Sequence, residues 1–145
     1  MSQDMIKDVS PEEIKQIRDE IDEAMEITPD NIMEKSIQIP QLCSKFLKHY
    51  VYQKRKLNNI NTSKARLYSQ LYHHYKYDYD YKLDTKKEIE IYVLGDEKHV
   101  KMQEDFDKQE DVVEYFKDIL SVINKMSFNI GHYVELLKIK NGMGR

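Results

Sequence analysis

Residues 41–77, QLCSKFLKHYVYQKRKLNNINTSKARLYSQLYHHYKY, contain no proline, no glycine and no acidic side chain. Within them Cys43, Phe46, Tyr50, Gln53, Leu57, Ile60, Lys64, Leu67, Leu71 and His74 recur at spacings of three and four. That is the periodicity of a helix face that meets a neighbour, here a heptad seam with polar interruptions. A helix over 41–77 is about 55 Å long at about 1.5 Å per residue. This exceeds what a small domain needs for its own core, so such a rod pairs or oligomerises. The run Asn58-Asn59-Ile60-Asn61-Thr62-Ser63 consists mostly of poor helix formers and offers a place to fold the segment into a helical hairpin instead. Rod and hairpin both remain open, and either makes the chain an elongated, all-α protein around a long basic central segment.

Upstream, Ser10-Pro11-Glu12-Glu13 is a helix start: Ser10 caps free amides, Pro11 suits the first helical position, and Glu13 completes a capping box. A helix over about 11–26 then presents Ile14, Ile17, Ile21 and Met25 as one apolar stripe on an acidic rod. Thr28-Pro29-Asp30 repeats the start signal, and Pro40 predicts a break or kink. Tyr77-Asp78-Tyr79-Asp80-Tyr81 ends the basic segment. Glu88 to Leu94 alternates like a strand, but no second strand exists to pair with it, so a short helix is expected. Gly95-Asp96 turns the chain into a helix over about 97–107. Val112, Val113, Phe116, Ile119, Leu120, Ile123 and Met126 continue at helical spacing, and after a break near Ser127 a final apolar helix carries Ile130, Tyr133, Val134, Leu136, Leu137 and Ile139. The chain thus divides into an acidic N-terminal helix (1–28), a basic region with an acidic connector (29–110), and C-terminal helices suited to oligomerisation (111–145).

A chain of 145 residues with 40% apolar and 34% charged content suits one domain with a modest core. No apolar run is long enough to span a membrane, and Met1 to Ser10 lacks the apolar stretch of a signal peptide, so a cytoplasmic location is expected. Cys43 is the only cysteine, which excludes an internal disulfide and a multi-cysteine metal site. There is no phosphate-binding glycine loop, nucleophile elbow, zinc-protease motif or dinucleotide fingerprint, so neither catalysis nor a cofactor is expected. His73 and His74 are adjacent, about 100° apart on a helix, and do not share a metal. The Asp-Tyr alternation near 78 is not a calcium loop, because Leu83 and Ile89 stand where the required Gly and Glu would be.

Charge is distributed unevenly. The formal net charge is -3, but residues 1–36 carry -7, 37–76 carry +8, 77–120 carry -7 and 121–145 carry +3. The basic strip creates its own positive field, since beyond about 10 Å the acidic flanks are screened. From Lys35 to Tyr77 nine Lys/Arg are interleaved with six tyrosines. Cations neutralise phosphates, and rings stack on bases without regard to sequence, which suits single-stranded nucleic acid. The candidate contacts are Lys45, Lys48, Lys54, Arg55, Lys56, Lys64 and Arg66, with Tyr68, Tyr72 and Tyr75 as a stacking row. A solvated face whose tyrosines pack a core, or line a partner helix, is the competing reading.

The order of features resembles the UvsY family, the recombination mediators of tailed phages. The resemblance rests on Ile39-Pro40-Gln41-Leu42-Cys43-Ser44-Lys45-Phe46-Leu47, Lys54-Arg55, Lys64-Ala65-Arg66-Leu67, the exit near Tyr72 and Tyr75, and Phe128-Asn129-Ile130-Gly131-His132 running on to Gly142. It covers about residues 30–142. The resemblance implies an all-helical, ring-forming homo-oligomer that binds single-stranded DNA and helps a RecA-like recombinase displace the phage single-strand binding protein. It further implies that Lys64 and Arg66 contact DNA, and that Phe128, Ile130, Tyr133, Leu136 and Leu137 form the oligomer interface. The alternative from a different class is a coiled-coil scaffold whose acidic residues 1–36 dock on basic residues 37–76.

Overall fold

The computed structural model describes residues 9–142. Among them are four α-helices: α1 (Pro11–Met25), α2 (Ile32–His73), α3 (Lys86–Gly95) and α4 (Glu97–Lys140), with a π-helical turn, His74–Asp78, continuing α2. The chain forms two compact units. One runs to Tyr52 and resumes at Glu114; the other is Gln53–Val113. Helices α2 and α4 contribute to both, so the unit boundaries are not those of the compositional segments.

In the first unit Ser10 Oγ accepts from the amide of Glu13 at 3.2 Å and starts α1. Ile17, Ile21 and Ala24 of α1 are buried, as are Ile39, Leu42 and Phe46 of α2 and Phe116, Ile119, Ile123, Met126 and Ile130 of α4. The C-terminal end of α1 is tied down by two residues that the sequence did not single out for this. Lys35 is buried, and its Nζ donates to the Glu23 carbonyl at 2.9 Å, a cation on the negative end of the helix. Asn31 accepts from the Thr28 amide at 2.7 Å and donates to the Glu26 carbonyl at 2.9 Å.

Of the break or kink expected at Pro40, the break does not occur; α2 runs through it. The carbonyl that loses its amide partner belongs to exposed Ser36, while Ile39 and Leu42, on the buried side, hold the two flanking turns in place.

The second unit is an antiparallel pairing of α2 with the first part of α4. Its rungs are Gln53 with Gln109, Lys64 with Phe106, Tyr68 with His99 and Tyr75 with Asp96. Rod wins over hairpin here, because Asn58 to Ser63 stays helical. Five poor formers cost roughly 3 kcal/mol in propensity. Leu57, Ile60 and Leu67 are each half-buried, and their packing is of the same size or larger. Thr85 caps α3 by accepting from the Glu88 amide at 3.1 Å, confirming the short helix. Ile89 and Val93 then close on Leu71, with Leu67, Tyr68, Tyr72, Tyr75 and Leu83 around them.

Asp96 caps α4 through the Lys98 amide (2.9 Å) and accepts from the Tyr75 hydroxyl (2.7 Å). That second bond pushes the Tyr75 pKa up to about 12 and holds the Asp96 carboxyl below its usual range. The separate helices expected over 97–107 and after Ser127 are one helix, α4. Val113, Phe116, Ile119, Ile123, Met126 and Ile130 keep one phase past Ser127, so burial carries the helix across a weak spot in propensity. Gly142 closes the end at φ 72°, a left-handed conformation that suits glycine.

Two buried polar arrangements give testable outcomes. Gln109 Nε2 donates to the Gln53 carbonyl (2.9 Å) and to Gln53 Oε1 (2.8 Å), both residues being buried. Gln109→Leu should cost about 1–3 kcal/mol in urea unfolding, because it removes a buried donor from both Gln53 oxygens, and Gln53→Leu added to it should recover part of that loss. His49 stacks on Phe116 (centroids 5.2 Å, 4° between planes), and its Nδ1 is buried without a partner among the described residues. Burial holds its pKa below the ordinary 6.5; Lys45 pushes the same way, while Glu13 and Glu20 oppose. The unfolded chain therefore takes up the proton first. The stability from a neutral His49 is complete above pH 6.5 and falls as pH drops from 6.5 towards the folded value. His49→Phe should flatten the unfolding midpoint across that window.

Candidate nucleic-acid interface

The bases of the acid-free segment do not share one fate, because burial of the seam fixes how α2 is rotated. In the second unit Arg55, Asn59, Thr62 and Arg66 follow one another at spacings of four, three and four, and all are exposed. Gln70 and exposed His73 continue the same register. No acidic residue lies on this stretch of α2. The triplet at 54–56 fans out as its spacing requires: Lys54 and Arg55 are exposed, while Lys56 is half-buried. Lys64 turns inward, its Nζ 4.8 Å from the centre of the Phe106 ring, a cation–π contact that leaves its charge less available than that of Arg66.

In the first unit Lys48 is exposed, whereas Lys45 pairs with Glu20 of α1 at 3.0 Å and lies over the Phe46 ring at 5.3 Å. Lys35 is taken up by the end of α1. The acidic helix thus engages both Lys35 and Lys45. The Lys45 pair is half-exposed and worth little in stability.

Tyr68, Tyr72 and Tyr75, the stacking row that the spacing suggests, are packed on one side. All three are half-buried against the Leu71–Ile89–Val93 cluster. Tyr68 stacks on Tyr72 (6.4 Å) and meets His99 edge-on, and Tyr75 is anchored on Asp96 and close to Tyr79 and Tyr92. This packing covers part of each ring and leaves part of it open. The rings of the acid-free segment that remain exposed are Tyr52 (38%) and Tyr77 (65%). Tyr52, Asn59 and Thr62 are not among the candidate contacts read from the sequence; they share the helical register of Arg55 and Arg66, which is the signal that singles them out.

Of the residues that the resemblance assigns to an oligomer interface, Phe128 (69%) and Leu136 (64%) are exposed, and Tyr133 and Leu137 are half-buried. Ile130, at 7%, belongs to the core of its own unit and has little surface to offer a second subunit. Exposed Ile139 extends the apolar row instead. Among the described residues no group of three or more His, Cys, Asp or Glu is placed to hold a metal ion, and no helix is long and apolar enough to cross a membrane.

Comparison with known proteins adds the family. Crystal structures of the bacteriophage T4 recombination mediator protein UvsY share the fold. The lattice type IV form superposes with a TM-score of 0.73 at 15% identity, over 88% of this chain and 98% of that one. The type II form gives 0.73 at 16% identity, over 88% and 96%. The type I form gives 0.71 at 16% identity, over 86% and 98%. No individually curated protein sequence matches. The sequence profile described as "Recombination, repair and ssDNA binding protein UvsY" matches residues 20–143, nearly the whole chain, and the chain therefore belongs to the UvsY family.

Proposed function

We propose that the chain is a non-enzymatic recombination mediator, acting in the host cytoplasm, that binds single-stranded DNA along the exposed face of α2. In this reading it loads a RecA-like recombinase onto strands covered by the phage single-strand binding protein. The observation that carries the reading is the exposed face Arg55–Asn59–Thr62–Arg66 in a segment without acids. The two guanidinium groups start about 16 Å apart along the helix, at about 1.5 Å per residue. They can hold separate phosphates of one strand, with an amide and a hydroxyl between them. Lys48 and Lys54 add charge, while Lys45, Lys56 and Lys64 contribute at longer range from their packed positions. The family description and the T4 protein's name support single strands and mediation as the substrate and role.

One protomer offers few phosphate contacts, so tight binding calls for several protomers on one strand. A homo-oligomeric ring built through Tyr133, Leu136, Leu137 and Ile139 supplies it, because linked contacts multiply affinity without new chemistry. The scaffold alternative draws on the Lys45–Glu20 pair, an acid-to-base contact of the kind it requires. That contact lies within one chain, however, and does not join subunits.

Arg55→Ala with Arg66→Ala should weaken binding to a labelled single-stranded oligonucleotide, followed by anisotropy. It should also lower the slope of log affinity against log salt by about 1.4, at about 0.7 per phosphate. Thermal unfolding of this variant should stay within about 0.5 kcal/mol of the parent, as for surface changes generally. Tyr72→Ala should instead destabilise by about 2–4 kcal/mol. Unchanged affinity and slope in the arginine variant would remove this face from the DNA path.

A further inference from the structure

The first unit carries a groove that the basic face of α2 does not account for. It is an open depression of about 630 Å³, with Tyr50 of α2 on one wall. Its other wall is α4, where Lys117, Ser121, Asn124, Lys125 and Phe128 fall on one helix face and are all exposed. On the same turns Phe116, Ile119, Ile123 and Met126 face the core. The lining therefore combines the ammonium groups of Lys117 and Lys125, the Ser121 hydroxyl, the amides of Asn124 and Asn129, the Leu120 side chain and the rings of Tyr50 and Phe128, and it contains no acid.

The charges are not equivalent. Glu114 and Asp118 lie within a turn of Lys117 and partly offset it. Lys125 is the only Lys, Arg, Asp or Glu between Ile119 and Val134, so its field is unopposed along that stretch of helix. Neither lysine is in an ion pair among the described residues. Phe128 is 69% exposed and braced edge-on against His132 at 4.6 Å, an aromatic face held ready beside a cation.

We propose that this groove is a second contact for single-stranded nucleic acid, with one base stacked on Phe128, its phosphate held by Lys125, and Lys117 as a weaker second cation. The proposal rests on the single-strand reading above and extends the strand's path to α4. The lining chemistry selects the occupant. A basic peptide would meet like charge. A second copy seated through an apolar surface would strand two ammonium groups and the Asn124 amide out of water. A nucleotide satisfies all of them: phosphate on the lysines, base edge on Ser121 and Asn124, and base face on the ring.

The test compares the parent with Lys117→Ala/Lys125→Ala and with Phe128→Ala, using anisotropy of a labelled oligothymidine across a salt series. Sedimentation reports the oligomeric state, and ultraviolet crosslinking to the same oligonucleotide is mapped by mass spectrometry. The lysine variant should bind roughly tenfold more weakly at low salt, with a slope reduced by as much as about 1.4, the value for two phosphates. Phe128→Ala should weaken binding by a similar factor with an unchanged slope, stacking being worth about one to two orders of magnitude per base. Crosslinks should map to the Tyr50 or Phe128 peptide, and sedimentation should not change. Parental affinity and slope in the lysine variant would overturn the inference. So would a Phe128→Ala protein that sediments as a smaller species yet keeps its affinity per protomer, since the groove would then be a contact between copies. If the parent itself fails to bind single strands, the proposed function falls as well; if the parent binds and the lysine variant binds equally, only the groove does.

Discussion

The rotation of α2 about its own axis is set by what it buries: Leu42 and Phe46 in the first unit, Gln53 and Leu71 in the second. Every other property of the helix follows from that choice, because a helix has only one circumference to divide between core and solvent. Burying this seam sends Arg55 and Arg66 outward and draws Lys56 and Lys64 inward. Gln53 contributes more to this than a leucine would. Its bonds with Gln109 have a required direction, so they penalise a shift in register that apolar packing alone would tolerate.

The acidic helix shows how stability and charge are partitioned in the first unit. Ile17, Ile21 and Ala24 dock α1 through apolar burial, while its carboxylates mostly remain in water. The docking thus does not depend on charge pairing, and Lys45–Glu20 is a by-product of two helices already in place. Lys35 differs. Its ammonium sits on a backbone carbonyl, so one of the nine bases of the acid-free segment is a structural cap.

Much of the fold could be read from the sequence, and the misses share one cause. Ser10-Pro11 announced α1, the three-and-four spacing announced the long helix, and the lack of a partner strand turned Glu88–Leu94 into a helix. The sequence also held Thr85-Lys86-Lys87-Glu88, a capping signal that makes α3 readable without elimination. Pro40 was read as a break or kink, Asn58 to Ser63 left rod and hairpin open, and Ser127 was read as a break, because propensity is local. Helix continuity at all three is decided by burial on the opposite face, which a local window does not register. At the candidate site the concentration of charge was legible and its direction was not. Tyrosine is the clearest case: the same ring suits a base stack and a half-buried wall, and only the position of α3 sends Tyr68 and Tyr72 to the wall.

Asp96 joins two events in time as well as two elements in space. One carboxylate oxygen takes the Lys98 amide in the first turn of α4, and the other takes the hydroxyl at the end of α2. The link spans 21 residues, a short loop to close. Nucleation is the costly step for any helix. Here α4 acquires its start at the moment the chain reverses, so the turn of the second unit is a natural seed from which both long helices can lengthen side by side. Contacts that zip outward from such a local seed keep each successive loop small, which is the topology associated with fast folding and brief exposure of apolar surface.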